Sequence, residues 1–221
     1  MPLPITDDEK MCLMHQVFSL FAQYGIEGIS MDEVARQIKL SKATIYKYFK
    51  SKEDIVREIV NERITQLNAV QLTTDNSING VLESLSAMYF EGVVTGAYSS
   101  SKFITDLGSK FPDILSDYIA ALDFTQKRFA SFFECAVREG YCKQVSITLV
   151  GAQAKMMLPY IIKTDYLNSL NTTLPLAIKE YYKLILCQLL SVEYMNVTTQ
   201  DSTYLFVDEL IEFLNSRFLI N

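Results

Sequence analysis

Six cationic side chains, Arg36, Lys39, Lys42, Lys47, Lys50 and Lys52, fall between positions 36 and 52 with no acid among them. Their chemistry is contact with phosphate, because ammonium and guanidinium groups on one short stretch displace the counterions of a polyanion. Tyr46 and Tyr48 are interleaved with them and add hydroxyl donors and flat apolar area. The chain as a whole is acidic, with net charge −6 and an isoelectric point near 4.9. A basic domain is the usual footprint of a nucleic-acid binder. Here a local patch has to carry phosphate contact, while total charge governs solubility. Other chemistries find few residues. His15 is the single histidine, and no Ser-His-Asp set, Gly-rich phosphate loop or histidine-rich metal site can be assembled. The reading is therefore not an enzyme, with no catalytic residue, no metal and no cofactor.

The elements that must position the patch are helical. Met14, Val17, Phe18, Phe21 and Ala22 recur at helical spacing and predict a first helix over Thr6–Tyr24, stopped by Gly25. Ser30-Met31-Asp32-Glu33 has the form of a capping box, with Ser30 as cap and Glu33 reaching back. It opens a second helix that buries Val34, Ala35 and Ile38 and ends near Lys39-Leu40. A third helix begins at Ser41 and runs to Tyr48 or Phe49. Ile45 and Phe49, four apart, form its inner face, which leaves Lys42, Ala43, Tyr46 and Lys47 outward. Ala43 is small enough for close approach to base edges, and Lys42 and Lys47 are long enough for phosphate or guanine. Ser51 caps a fourth helix to about Asn68, with Lys52 in its first turn.

Three short helices around a tight turn make a helix-turn-helix head. The run GISMDEVARQIKLSKATIYKYFKSKEDI, Gly28 to Ile55, resembles the signature of the tetracycline-repressor (TetR) family of bacterial regulators. The parts that match are the small polar cap, the Val-Ala of the second helix, a recognition helix of the form S-K-x-T-I-Y-x-Y-F, and K-S-K-E opening helix four. What the resemblance implies is residue by residue. Ser30 and Met31 meet the DNA backbone at the start of the second helix. Ser41, Lys42, Ala43 and Thr44 open the recognition helix, where base and phosphate contacts concentrate. Tyr46, Lys47 and Tyr48 are its contacting middle, and Lys52 binds the backbone from helix four. The resemblance further implies a homodimer formed through C-terminal helices, an inverted-repeat operator on double-stranded DNA, and a ligand in the body that spreads the two heads.

The resulting architecture is all-α: a helix-turn-helix DNA-binding head over residues 1–60 and a helical effector-binding and dimerisation body over 61–221. Helices are predicted over about Ser77–Tyr98, Lys102–Ser109, Pro112–Glu139 with Gly140 as stop, from Ser146 or Thr148 to Thr164 with a kink at Pro159, Leu174–Ser191 and Ser202–Phe218. The last is additional to the family's usual nine and leaves the dimer helices open. Gly92 and Gly96 serve either close helix packing or a kink beside a pocket. A body rich in Tyr, Phe and Met favours a small apolar or aromatic ligand, with Tyr89, Phe90, Phe103, Phe124, Phe129, Met156 and Tyr160 as candidate pocket residues. Cys12, Cys135, Cys142 and Cys187 read as packed thiols, with a redox pair of Cys135 and Cys142 as the alternative. The N-terminus MPLPITDDEK has no apolar core of a signal peptide, and no apolar run is long enough to span a membrane. The expected place of work is the cytoplasm. The function expected is a sequence-specific repressor released from its operator by a ligand. The alternative is an effector-free DNA-binding architectural or partner-recruited protein.

Overall fold

The structure is a computed structural model that describes residues 7–75, 77–99 and 102–218, with side chains from Glu9 onward. Among these residues it is helical, with one isolated bridge between Cys142 and Leu190. The helices are α1 (Asp7–Tyr24), α2 (Met31–Gln37), α3 (Lys42–Tyr48), α4 (Lys52–Ala69), α5 (Ile78–Ser99), α6 (Lys102–Lys110), α7 (Pro112–Arg138), α8 (Ile147–Ile161), α9 (Thr164–Ser169), α10 (Leu174–Leu189) and α11 (Phe206–Phe218). Two 3-10 runs, Val192–Thr199 and Asp201–Tyr204, separate α10 from α11. The expected all-α class holds, and the expected start of the first helix at Thr6 lies outside the described residues.

Contacts divide the chain into two compact units. The first holds α1 to α4, α6, residues 112–122 of α7 and the last turn of α11. This unit joins the N-terminal helices with helices from far along the chain. Its core is the inner face of α1 with Val34, Ala35, Ile45, Phe49, Ile55 and Ile59, each at most 5% exposed. Burial of side chains of this size stabilises by about 1.5–3 kcal/mol each. Gly25 has φ +87, and a Cβ there would lie 2.6 Å from Asp106 Oδ2 of α6. That carboxylate accepts the Glu27 N–H at 3.0 Å. Glycine is therefore required both by the left-handed backbone and by the α6 side chain that closes the turn before α2.

The second unit holds α5, the rest of α7, and α8 to the body of α11. Gly92 and Gly96 resolve to close packing. A Cβ on Gly96 would lie 3.1 Å from Leu158 Cβ, and one on Gly92 3.2 Å from Leu158 Cδ1, so α5 seats directly on α8. Tyr182 of α10 stands at the centre of an aromatic cluster, with ring centroids 4.8 Å from Tyr89 and 5.0 Å from Phe206. Two expected boundaries shift. Of the two starts expected, Ser146 is the cap, but α8 ends at Ile161, because Lys163 is extended and opens the separate α9. The single helix expected over Ser202–Phe218 is a 3-10 turn followed by α11. Thr203 Oγ1 and Tyr204 OH donate to the carbonyls of Val197 and Thr198 at 2.7 and 2.6 Å. These bonds fold the turn back on the preceding 3-10 run instead of letting it continue α11.

Candidate nucleic-acid interface

The interface is built on local caps. Ser30 Oγ accepts the Glu33 N–H at 3.2 Å and starts α2. Glu33 departs from the expected box: its carboxylate takes Arg36 at 2.6 Å. The turn after α2 passes through Lys39 at φ +59, and the Leu40 N–H reaches back to the Ala35 carbonyl at 2.9 Å. Ser41 then caps α3 by accepting the Thr44 N–H at 3.0 Å, and its hydroxyl shares a 2.7 Å bond with the Thr44 hydroxyl. Ser51 accepts the Asp54 N–H at 3.1 Å, and Asp54 in return accepts the Lys50 N–H at 2.8 Å. Each short helix is thereby fixed at its N-terminus, where unpaired N–H groups would otherwise fray it.

On that frame α3 shows two faces. Ile45 is fully buried and Phe49 is 1% exposed, while Ser41, Lys42, Ala43, Tyr46 and Lys47 are exposed and Thr44 and Tyr48 are half-buried. The exposed face is small, basic and aromatic, as expected. Four features differ from the sequence reading or were missed by it. Met31 is 8% exposed, so its side chain belongs to the core, because it occupies the inner face of the first turn of α2. Lys42 is held by Asp32, with Nζ 3.0 Å from Oδ1, and this hydrogen bond and charge raise the ammonium above the usual lysine range. Lys52 donates to the Ile29 carbonyl at 2.9 Å and lies 5.7 Å from the Phe21 ring centroid. Burial holds Lys52 below the usual lysine range, against the opposing charges of Glu27 and Asp106. Its amine closes the head from within instead of projecting outward. The side chains of Lys39, Lys47 and Lys50 are exposed and have no protein partner among the described residues.

The fourth feature is a clamp at the C-terminus. Glu62 of α4 accepts His15 Nε2 of α1 at 2.9 Å and Arg217 Nη2 of α11 at 3.2 Å. Ser19 Oγ donates to the Arg217 carbonyl at 2.5 Å, and Phe218 meets Phe18 edge-on with centroids 5.1 Å apart. His15 is thus a packing residue of the head. No spacing rule in the sequence joins position 217 to positions 15, 19 and 62.

Residues 14–59 match the family model described as "Bacterial regulatory proteins, tetR family". Residues 14–59 thus carry the TetR-family domain. The chain is similar to the Staphylococcus aureus biofilm operon icaADBC HTH-type negative transcriptional regulator IcaR, at 27% identity over 79 residues. That match covers 36% of this chain and 42% of IcaR, so the chain spans less than half the length of the curated relatives it matches. Two solved structures share the fold. The TetR-family regulator PfmR from Thermus thermophilus aligns with TM-score 0.57 and 21% identity, over 79% of this chain and 97% of its own. The ketosteroid regulator KstR2 of Mycobacterium tuberculosis aligns with TM-score 0.60 and 15% identity, over 85% and 97%. These likenesses bear on the helical architecture alone.

The structure places the seven candidate pocket residues at separate positions. A cleft of about 720 Å³ opens in the second unit beside α5 and the start of α11, and of the seven candidates only Phe90 lines it. Tyr89 is buried behind it, with its hydroxyl donating to the Ile178 carbonyl at 2.9 Å, and burial pushes that phenol well above the usual tyrosine range. Phe103 is fully buried in the first unit, edge-on to Phe18 at 5.4 Å. Phe124, Met156 and Tyr160 are 55%, 72% and 53% exposed, and Phe129 is half-buried on α7. The four cysteines are free thiols. Cys142 is buried, which pushes its thiol up to about 11, against a role as a redox nucleophile.

Proposed function

We propose that the chain is a sequence-specific DNA-binding transcriptional regulator that acts as a homodimeric repressor on an inverted-repeat operator. The observation that carries this reading is the two-faced α3. Ile45 and Phe49 lock one side into the core, and Ala43, Tyr46 and Lys47 stand free on the other at the end of a capped, seven-residue helix. A helix so anchored can enter the major groove without leaving its core. Lys39, Lys47 and Lys50 supply phosphate contacts on either side, and Lys42 supplies one once Asp32 is displaced. Tyr46 and Tyr48 add hydroxyl donors. On this reading Ser30, Ser41 and Thr44 meet the backbone at the helix starts, whereas Met31 and Lys52 support the head from inside.

Two heads are needed because a single module buries only about 600–1,000 Å² on DNA. The second unit offers a surface for pairing. Leu149, Met156 and Tyr160 on α8 are 70%, 72% and 53% exposed, and Leu176 and Leu184 on α10 are 49% and 57% exposed. On α8 these positions recur at helical spacing and form an apolar stripe. Exposed apolar stripes of this kind mark interaction surfaces. The cleft beside α5 supports a small-molecule effector that favours a conformation with weaker operator affinity. The place of work on this reading is the bacterial cytoplasm, where the operator lies.

Selection of bound duplexes from a random pool with the purified protein tests the proposal. A palindromic consensus is expected. Salt-sensitive binding without sequence enrichment would overturn it in favour of an architectural DNA binder.

A further inference from the structure

The cleft in the second unit has a lining chemistry that selects among ligands. Its volume of about 720 Å³ lies within the range of small-molecule sites. One wall is α5, which presents Glu83, Phe90 and Glu91, and a second is the start of α11, which presents Phe206 and Glu209. Three carboxylates line the cleft, and no lysine, arginine or histidine does. Two basic side chains beside lining residues hold protein oxygens. Arg128 donates to the Val70 carbonyl at 2.6 Å, and Lys179 pairs with Asp201 at 3.3 Å.

The apolar part of the lining is aromatic and held in place. Phe90 meets Phe213 edge-on with centroids 5.6 Å apart, and Phe206 meets Tyr182 edge-on at 5.0 Å. Ser86, also in the lining, shares a 2.9 Å hydrogen bond with the Tyr182 hydroxyl and fixes the ring behind Phe206. Glu91 also lines the cleft and is only 8% exposed, so the acidic lining extends inward from the exposed Glu83 and Glu209. Glu83 and Glu91 are eight positions apart, about 12 Å along the helix axis. That spacing is far too wide for one metal ion, whose oxygen ligands converge within about 2.6 Å. No group of residues able to hold a metal is found among the described residues. Negative potential spread along an aromatic-walled cleft suits a cation with a body: rings attract an ammonium through their faces, and the carboxylates set its sign.

We propose that this cleft binds an organic cation, a small molecule with an ammonium group on an apolar body. The body is held at Phe90 and Phe206 and the charge faces Glu83, Glu91 and Glu209. The inference rests on the reading that the second unit takes a small-molecule effector, and it adds a positive charge to the small apolar or aromatic ligand expected from composition.

The test is titration calorimetry on the full chain without DNA. The probes are benzyltrimethylammonium and its uncharged isostere neopentylbenzene. The cation is expected to bind roughly tenfold tighter than the isostere, a preference that falls with added salt. Glu83→Gln with Glu209→Gln, both exposed positions, is expected to remove most of that preference. Equal affinity for the two probes, a preference indifferent to salt and to the double substitution, or no binding of either would overturn the inference. The salt arm uses the unaltered protein, so it decides the matter even if the variant folds poorly. Because no DNA is present, these outcomes leave the operator selection to stand or fall on its own result.

Discussion

Arg217 Nη2 lies 3.2 Å from Glu62 Oε1, and the same carboxylate accepts His15 Nε2 at 2.9 Å, so one residue of α4 ties α1 to the last turn of the chain. The side chains of Arg217 and Glu62 are only 15% and 17% exposed. Removing one member of such a pair leaves the other charge poorly solvated. Arg217→Ala is therefore expected to lower unfolding free energy by about 2 kcal/mol. Urea unfolding at a fixed protein concentration checks this. A change within error would show that the last turn is dispensable to the head.

The same carboxylate makes a pH signature. Burial by itself would raise the Glu62 pKa, but the hydrogen bond and charge of His15 together with Arg217 outweigh it and hold the carboxyl below the usual glutamate range. The folded chain then binds fewer protons at this site than the unfolded chain, whose glutamates titrate near about pH 4.3. The stabilisation is fully present above that pH and is lost as pH falls through the folded-state value. Unfolding measured from about pH 5 down to about pH 3 should show a loss of stability on acidification that is smaller in Glu62→Gln. Parallel curves for the two proteins would remove Glu62 from the explanation.

Asp32 holds Lys42 in place on the outer face of the head, with both side chains largely exposed. A DNA phosphate must compete with that carboxylate for the ammonium. Asp32→Asn is expected to raise affinity for duplexes of any sequence by roughly threefold to tenfold. It should also steepen the dependence of log affinity on log salt by about one unit, since one more cation releases a counterion. Fluorescence anisotropy over a salt series measures both. An unchanged slope would mean that Lys42 makes no phosphate contact.

Lys52 separates a fold role from a binding role. Its amine donates to the Ile29 carbonyl, one residue before the Ser30 cap. Lys52→Ala should cost about 1 kcal/mol of stability through the lost hydrogen bond, while the salt slope for DNA stays as it was. A slope flattened by about one unit would return Lys52 to the phosphate-contacting set.

The helices and their starts were legible because periodicity and caps are local. Ser30, Ser41 and Ser146 each accept the backbone N–H three residues on, and Ile45 with Phe49 fixed the inner face of α3 by spacing alone. The partners of the charged residues were not legible. Lys42 with Asp32 and Lys52 with the Ile29 carbonyl depend on the angle at which α2 meets its neighbours, which no single-helix pattern encodes. The scatter of the candidate pocket residues has a related reason. Met156 and Tyr160 lie on a helical stripe as regular as any core stripe, but that stripe faces outward on α8, and composition does not say which stripe a neighbour covers. Phe103 shows the converse: the contacts place α6 with the head, so an aromatic assigned to the body is core of the first unit.

The exposed stripe itself supplies a decisive substitution. Met156 at 72% and Leu184 at 57% exposure have little to lose within a single chain, so a charge at either position costs the isolated fold little. If the α8 and α10 faces pair two copies, Met156→Glu with Leu184→Glu places like charges in a buried interface, where unpaired charge is strongly unfavourable. The expected outcome is a monomer of about 25 kDa by light scattering, against a dimer for the parent chain, from the 25.2 kDa chain mass. Its helical content by circular dichroism should be retained. Operator affinity should fall by far more than general duplex affinity, because two linked heads gain from each other what one head cannot. A variant that remains dimeric would place the interface elsewhere, and the apolar stripe would then need another occupant.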